Sequence, residues 1–190
     1  IAVPVDTWQT NQSRALKKLL DEGFDKKVIE TLWRDLDPQY FGKRRSSTIA
    51  WQSKKILLQK DPAQIIVGIK STPQRSGSEV FVYSQDKENL FAALTATLAQ
   101  QGLIIQAANI YTDKKGFCYD SFIVLDESGH ALKNTTIKNQ IKRAIVTNLS
   151  KPKNVVMSVQ RRMPRQLKYF SIPTSVDFVD DEYSGLTRME

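Results

Sequence analysis

Apolar positions recur at helical spacing through the first sixty residues. Ala15, Leu16, Leu19 and Leu20 fall on one stripe, and Val28, Ile29, Leu32, Trp33 and Leu36 on a second. Gly23 separates the two and Asp25 is placed to cap the second, which predicts a short helical hairpin. Pro38 stops the second stripe. Ser46 or Ser47 can cap a third helix carrying Ile49, Ala50, Ile56 and Leu57, with Trp51 as its anchor. Asp61-Pro62 then breaks the pattern, and the β-rich run Ile65-Ile66-Val67-Gly68-Ile69 follows.

Beyond the turn-forming stretch Ser71 to Ser78 the period changes in a fixed order. Glu79 to Tyr83 alternates as a strand does, and Leu90, Phe91, Leu94 and Leu98 repeat as a helix until Gly102. Leu103 to Thr112 and Phe117 to Leu125 read as antiparallel strands joined by the turn Asp113-Lys114-Lys115-Gly116. After Asp126-Glu127-Ser128-Gly129, a second helix carries Ile137, Ile141, Ala144 and Ile145. Two segments compete for a fourth strand, Val155 to Val159 and Thr174 to Val179, and the cleaner alternation of Val176 and Phe178 favours the second. The expected class is α+β: a helical N-terminal segment followed by a βαββαβ, ferredoxin-like unit with an antiparallel sheet and two helices on one face. The expected organisation is a helical linker over 1–62, the main module over 63–185, and the start of a further domain over 186–190.

Composition narrows the class. With 41% hydrophobic and 25% charged residues in 190, folding is the default and disorder is not. No run approaches the roughly 20 apolar residues that span a bilayer, and Ile1 to Val5 lacks the charged start of a signal peptide. Both ends look cut: there is no initiator methionine, and the alternation Leu186 to Glu190 has nothing after it. One cysteine, Cys118, and one histidine, His130, can make neither an internal disulfide nor a Cys/His zinc site, so a reducing, cytoplasmic compartment is expected. A net charge of +8, with Lys43-Arg44-Arg45 and Arg161-Arg162-Met163-Pro164-Arg165 as local clusters, favours anionic partners, although short basic runs are usually solvated surface.

Catalytic signatures are missing. Phosphate-cradling glycine loops and a nucleophile elbow do not occur, no metal set is apparent, and Cys118 has no basic neighbour in sequence to activate it. The informative stretch is Gln85-Asp86-Lys87-Glu88-Asn89-Leu90, between the first strand and first helix of the module. Unsatisfied N–H groups at a helix start can hold a carboxylate while Asp86 or Asn89 meets an ammonium or amide, a combination that suits an amino acid. The plainer alternative is that Asp86 or Asn89 only caps the helix.

Phe81 to Leu94, Ala108 to Thr112 and Gly116 to Asp126 resemble an ACT domain, and more closely the first ACT domain of the bifunctional uridylyltransferase/uridylyl-removing enzymes that modify the PII nitrogen-signalling protein. Pro164 to Thr174 is similar to the segment that follows that domain in the same family, and Trp33, Tyr40-Phe41 and Ile49-Ala50-Trp51 resemble its helical linker. The resemblance implies a regulatory, glutamine-sensing portion without catalysis of its own, with PII as a partner of the parent enzyme, a homodimer through ACT sheets, and Mg2+ needed only in the parent's catalytic domains. It implies ligand contacts at Asp86, Lys87, Asn89 and Leu90, with Asn109 on the adjoining strand. Three departures stand out: the turn reads Asp86-Lys87-Glu88-Asn89 without the family's usual proline, Ala107 occupies a position where an acidic residue is common, and Tyr169 replaces a common histidine.

An RNA-recognition module shares the same element order. Lys115 to Phe122 imitates its stacking motif and Val80-Phe81-Val82 the partner strand, but Asp120 stands where that motif is apolar and the preceding turn is short. Nucleic acid and membrane are therefore not the expected partners.

Overall fold

A computed structural model describes residues 6–59, 61, 64–72, 77–150, 178–181 and 186–189. Two compact units form, one of residues 8–159 and one of 1–7 with 160–190.

The larger unit opens with four helices: α1 (Asp6–Asp21), α2 (Lys26–Trp33), α3 (Pro38–Gly42) and α4 (Ser46–Leu57). Gly23, at φ +88°, ends the first, because its amide and that of Phe24 return to the Leu20 and Leu19 carbonyls. Asp25 caps α2 by accepting from the Val28 amide at 3.1 Å, as its position predicts. α2 ends at Trp33, before Pro38, and Pro38 starts the next helix, with Asp37 as cap and Pro38 in the first turn. α4 departs from expectation, since Arg45 precedes its first turn and no side chain caps it. Of the two predicted stripes, Leu20 and Val28 face solvent while Ala15, Leu19, Ile29, Trp33 and Leu36 are buried.

The sheet contains β1 (Ile66–Thr72), β2 (Gly77–Gln85), β3 (Ile104–Asn109) and β4 (Phe117–Leu125), all antiparallel, in the order β1-β2-β4-β3. α5 (Leu90–Gln100) and α6 (Thr135–Ser150) cover one face. This is the expected α+β architecture, but its edge is built differently. The place beside β2 is taken by β1, from the start of the module, rather than by a strand from Thr174–Val179. Within that segment, 178–179 belong to β5 (Phe178–Asp181), which pairs with β6 (Leu186–Met189) in a separate two-stranded sheet. The strand-like run at 186 thus finds its partner in the preceding strand. Val155 to Val159 and Tyr169 lie outside the described residues.

Alternation along β2 and β4 divides their side chains between two cores. Val80, Val82, Cys118, Phe122 and Val124 pack under α5 and α6 with Leu94, Leu98, Ile141 and Ile145. Phe81, Tyr83 and Tyr119 face the other way and join Trp33, Tyr40, Phe41, Ile49 and Ile56 from the four helices. The second core is aromatic: Tyr40 meets Phe41, Tyr111 and Tyr119 with ring centroids 5.3–5.4 Å apart in tilted or edge-on geometry. Its polar groups are paired. Tyr40 Oη donates to Gln52 Oε1 at 2.7 Å, Gln52 Nε2 donates to Glu79 Oε1 at 3.0 Å and Ser121 Oγ at 2.9 Å, and Trp33 Nε1 donates to Ser53 Oγ at 2.8 Å.

Candidate functional site

β2 delivers the chain to α5 through Asp86, Lys87, Glu88 and Asn89, all exposed. The Asp86 amide donates to the Gly116 carbonyl at 2.7 Å, which ties this turn to the β3–β4 hairpin. Asn89 adopts the left-handed conformation at φ 62°, a strained choice for any residue but glycine and mildest for asparagine. Its side chain makes no cap bond; the Leu90 amide donates to the Lys87 carbonyl at 3.1 Å, and among the described residues the next amides of the first turn of α5 have no side-chain acceptor.

Beneath this turn lies a cavity of about 330 Å³ lined by Ser84, Gln85, Lys87, Leu90, Phe117 and Leu149, among others. Ser84 is the unexpected member. Only 6% of it is exposed, and its hydroxyl oxygen has no hydrogen-bond partner among the described residues, a state that carries a desolvation cost of about 1–3 kcal/mol. Next to it on the same sheet face lie Cys118 and Asp120. Burial pushes the Cys118 thiol up to about 12, so it remains protonated and unreactive at neutral pH. Burial, reinforced by the charge of Asp86, raises the Asp120 carboxyl to about 6, against the pull of the Tyr111 amide and of Arg44.

Of the residues singled out in the sequence, Lys87 and Leu90 line this cavity, and Asp86 and Asn89 stand beside it in the exposed turn. Asn109 does not join them. β4 lies between β2 and β3, so the strand carrying Asn109 is not adjacent to the one leading into the turn. The Asn109 side chain instead accepts from Arg44 Nη2 at 3.4 Å and lines a different cavity. Ser84 and Asp120 were missed because polar residues at inward strand positions look, in sequence, like the polar half of an ordinary alternation.

The sheet face that would stack bases in an RNA-recognition module is covered. Phe81 is fully buried and Tyr119 is 1% exposed, both packed against the N-terminal helices. Among the described residues no group of acidic, cysteine or histidine side chains could hold a metal, and no helix is long and apolar enough to cross a membrane.

Residues 4–55 match the family described as the uridylyltransferase GlnD fifth domain. Over 94% of this chain and 20% of the relative, the sequence is 36% identical to the bifunctional uridylyltransferase/uridylyl-removing enzyme of Pseudomonas putida (strain W619). Over the same shares it is 37% identical to that of Pseudomonas entomophila (strain L48), and 34% identical to that of Pseudomonas aeruginosa (strain LESB58). The chain therefore spans about a fifth of the length of these relatives. No solved structure matches it.

Proposed function

We propose, from the chain's place in the bifunctional uridylyltransferase/uridylyl-removing enzyme family, that it is the portion that senses glutamine and performs no chemistry of its own. In this reading the whole enzyme works in the cytoplasm, adds and removes UMP on the PII nitrogen-signalling protein, and keeps its Mg2+-dependent chemistry in other domains. Glutamine binds at the turn from β2 to α5. Its carboxylate meets the uncapped amides of α5, Asp86 and Asn89 receive its polar groups, and Lys87 and Leu90 close the cavity around the side chain.

The observation that carries this reading is the orphaned Ser84 hydroxyl, buried in a cavity at the mouth of a helix that no side chain caps. A ligand that satisfies it recovers the cost of its burial, which is what makes binding favourable at this place. Asn109 lies outside this ligand shell and acts through Arg44 instead. β3, an edge strand with Ile104, Gln106, Ala107 and Ala108 exposed, is where a second copy would pair to form a homodimer.

Glutamine titration by calorimetry tests the site. Saturable binding is expected in the full chain, weakened about tenfold by Ser84→Ala, the equivalent of one lost hydrogen bond of about 1.4 kcal/mol. The pair Asp86→Ala and Asn89→Ala should weaken it further. Unaltered affinity in all three variants would remove the turn from the account.

A further inference from the structure

The second cavity, of about 490 Å³, lies between the start of α4 and the sheet face formed by β2, β3 and β4. Lys43, Arg44, Arg45, Thr48, Asn109 and Ser121 contribute to its lining. Arg44 is its most unusual component. Only 7% of the residue is exposed, yet among the described residues no carboxylate pairs with it.

Its guanidinium reaches neutral oxygens only: Nη1 donates to the Tyr40 carbonyl at 3.3 Å, and Nη2 to the Tyr119 carbonyl at 3.3 Å and Asn109 Oδ1 at 3.4 Å. All three are longer than the usual 2.7–3.2 Å range for such bonds. The group also lies 4.3 Å from the Tyr40 ring centroid, which holds it in place without neutralising it. Burial lowers its pKa, as expected when a charge is taken from water without an ion-pair partner. The acid nearest at hand, Glu79, also lines this cavity, but its charge is already committed: it accepts from Gln52 through one oxygen and pairs with Lys70 at 3.2 Å through the other. Lys43 and Arg45 add positive charge at the rim, and the start of α4 has no side-chain cap.

We infer that this cavity is a binding site for a small polar metabolite held by its carboxylate or phosphate group, with Arg44 as the buried anchor. A planar guanidinium whose existing bonds are long and neutral exchanges them at little cost for charge-assisted bonds to an oxyanion. The volume exceeds what a bare oxyanion fills, and the hydroxyls of Thr48 and Ser121 with the Asn109 amide supply contacts for a neutral body. The site is separate from the turn between β2 and α5, with which it shares no lining residue.

Thermal-shift and calorimetric titrations of the full chain with inorganic phosphate and with succinate, each against sodium chloride at matched ionic strength, test it. At least one of the two anions should bind saturably, and which one does so identifies the head group as phosphate or carboxylate. Two variants locate the site. Arg44→Met removes the anchor. Ala107→Glu changes an exposed residue of β3 that lines the same cavity and supplies an internal carboxylate, so it remains informative should Arg44→Met not fold. Both should weaken the anion about tenfold or more, while Ser84→Ala leaves it unaffected. No response to either anion beyond that of chloride, or equal binding in Ala107→Glu, overturns the inference.

Discussion

Replacing Asp120 with asparagine should stabilise the protein at neutral pH and leave it unchanged in acid. The carboxyl lies on β4 with 1% exposure, close to Asp86 and receiving the Tyr111 amide at a long 3.4 Å. Its pKa rises from 3.8 to about 6, chiefly through burial. Because the folded-state value lies above the unfolded one, the native protein holds the proton more tightly, and stability falls as pH climbs from about 4 to about 6 before this group's contribution levels off. The difference corresponds to about 3 kcal/mol of penalty on the ionised form. Asparagine keeps an oxygen for the Tyr111 amide and carries no charge. At pH 7.5 the variant should therefore gain up to about 3 kcal/mol, or a melting temperature higher by about 6–12 °C for a unit of this size. At pH 3.5 the two proteins should coincide. Urea denaturation of both across pH 3.5–8 makes the comparison, and a stability difference that does not change with pH would refute the assignment of a raised Asp120.

Other outcomes follow from the helical side of the sheet. Gln52→Leu leaves Tyr40 Oη, Glu79 Oε1 and Ser121 Oγ without their shared partner and should cost about 3 kcal/mol in chemical denaturation. Gly68→Ala would place a methyl carbon 2.8 Å from Trp51 Cζ2 and 2.9 Å from Cη2, and the ring has little room to yield because it packs on Phe81 and Lys70. A loss of about 1–3 kcal/mol is expected, with altered tryptophan fluorescence. Ser84→Ala in the absence of ligand should be neutral or slightly stabilising, since it removes a buried hydroxyl that has no partner.

Much of this architecture was legible in the pattern of residues. Local signals locate the hairpin of α1 and α2, the alternation of β2 and β4, and the turn at Gly116, because each depends on neighbours in sequence: Asp25 on Val28, Asp113 on Phe117, Gly23 on Leu20. Pairing between distant segments was not legible. Ile65 to Ile69 reads plainly as a strand, but nothing in it says that it lies along β2 and takes the edge for which Thr174 to Val179 looked suited. The candidate site divides in the same way. Its turn residues are contiguous and read together, whereas Asn109 joins them only through the family resemblance, and the structure sets its strand two places from β2 in the sheet. Arg44 looked like one member of a solvated basic run. Only the approach of Tyr40, Tyr119 and Asn109 from three other elements turns it into a buried cation.

Neighbouring residues of β2 and β4 belong to opposite faces, so both cores hang on the same two stretches of backbone. Ser84, in the cavity below α5, is bonded in the chain to Tyr83, which stacks on Phe117 at 5.2 Å and meets Tyr119 edge-on at 5.0 Å on the other side. A displacement at one cavity needs no relay of intermediate side chains to be felt by the helical layer. One peptide unit separates the layers, and whatever moves the strand moves them together.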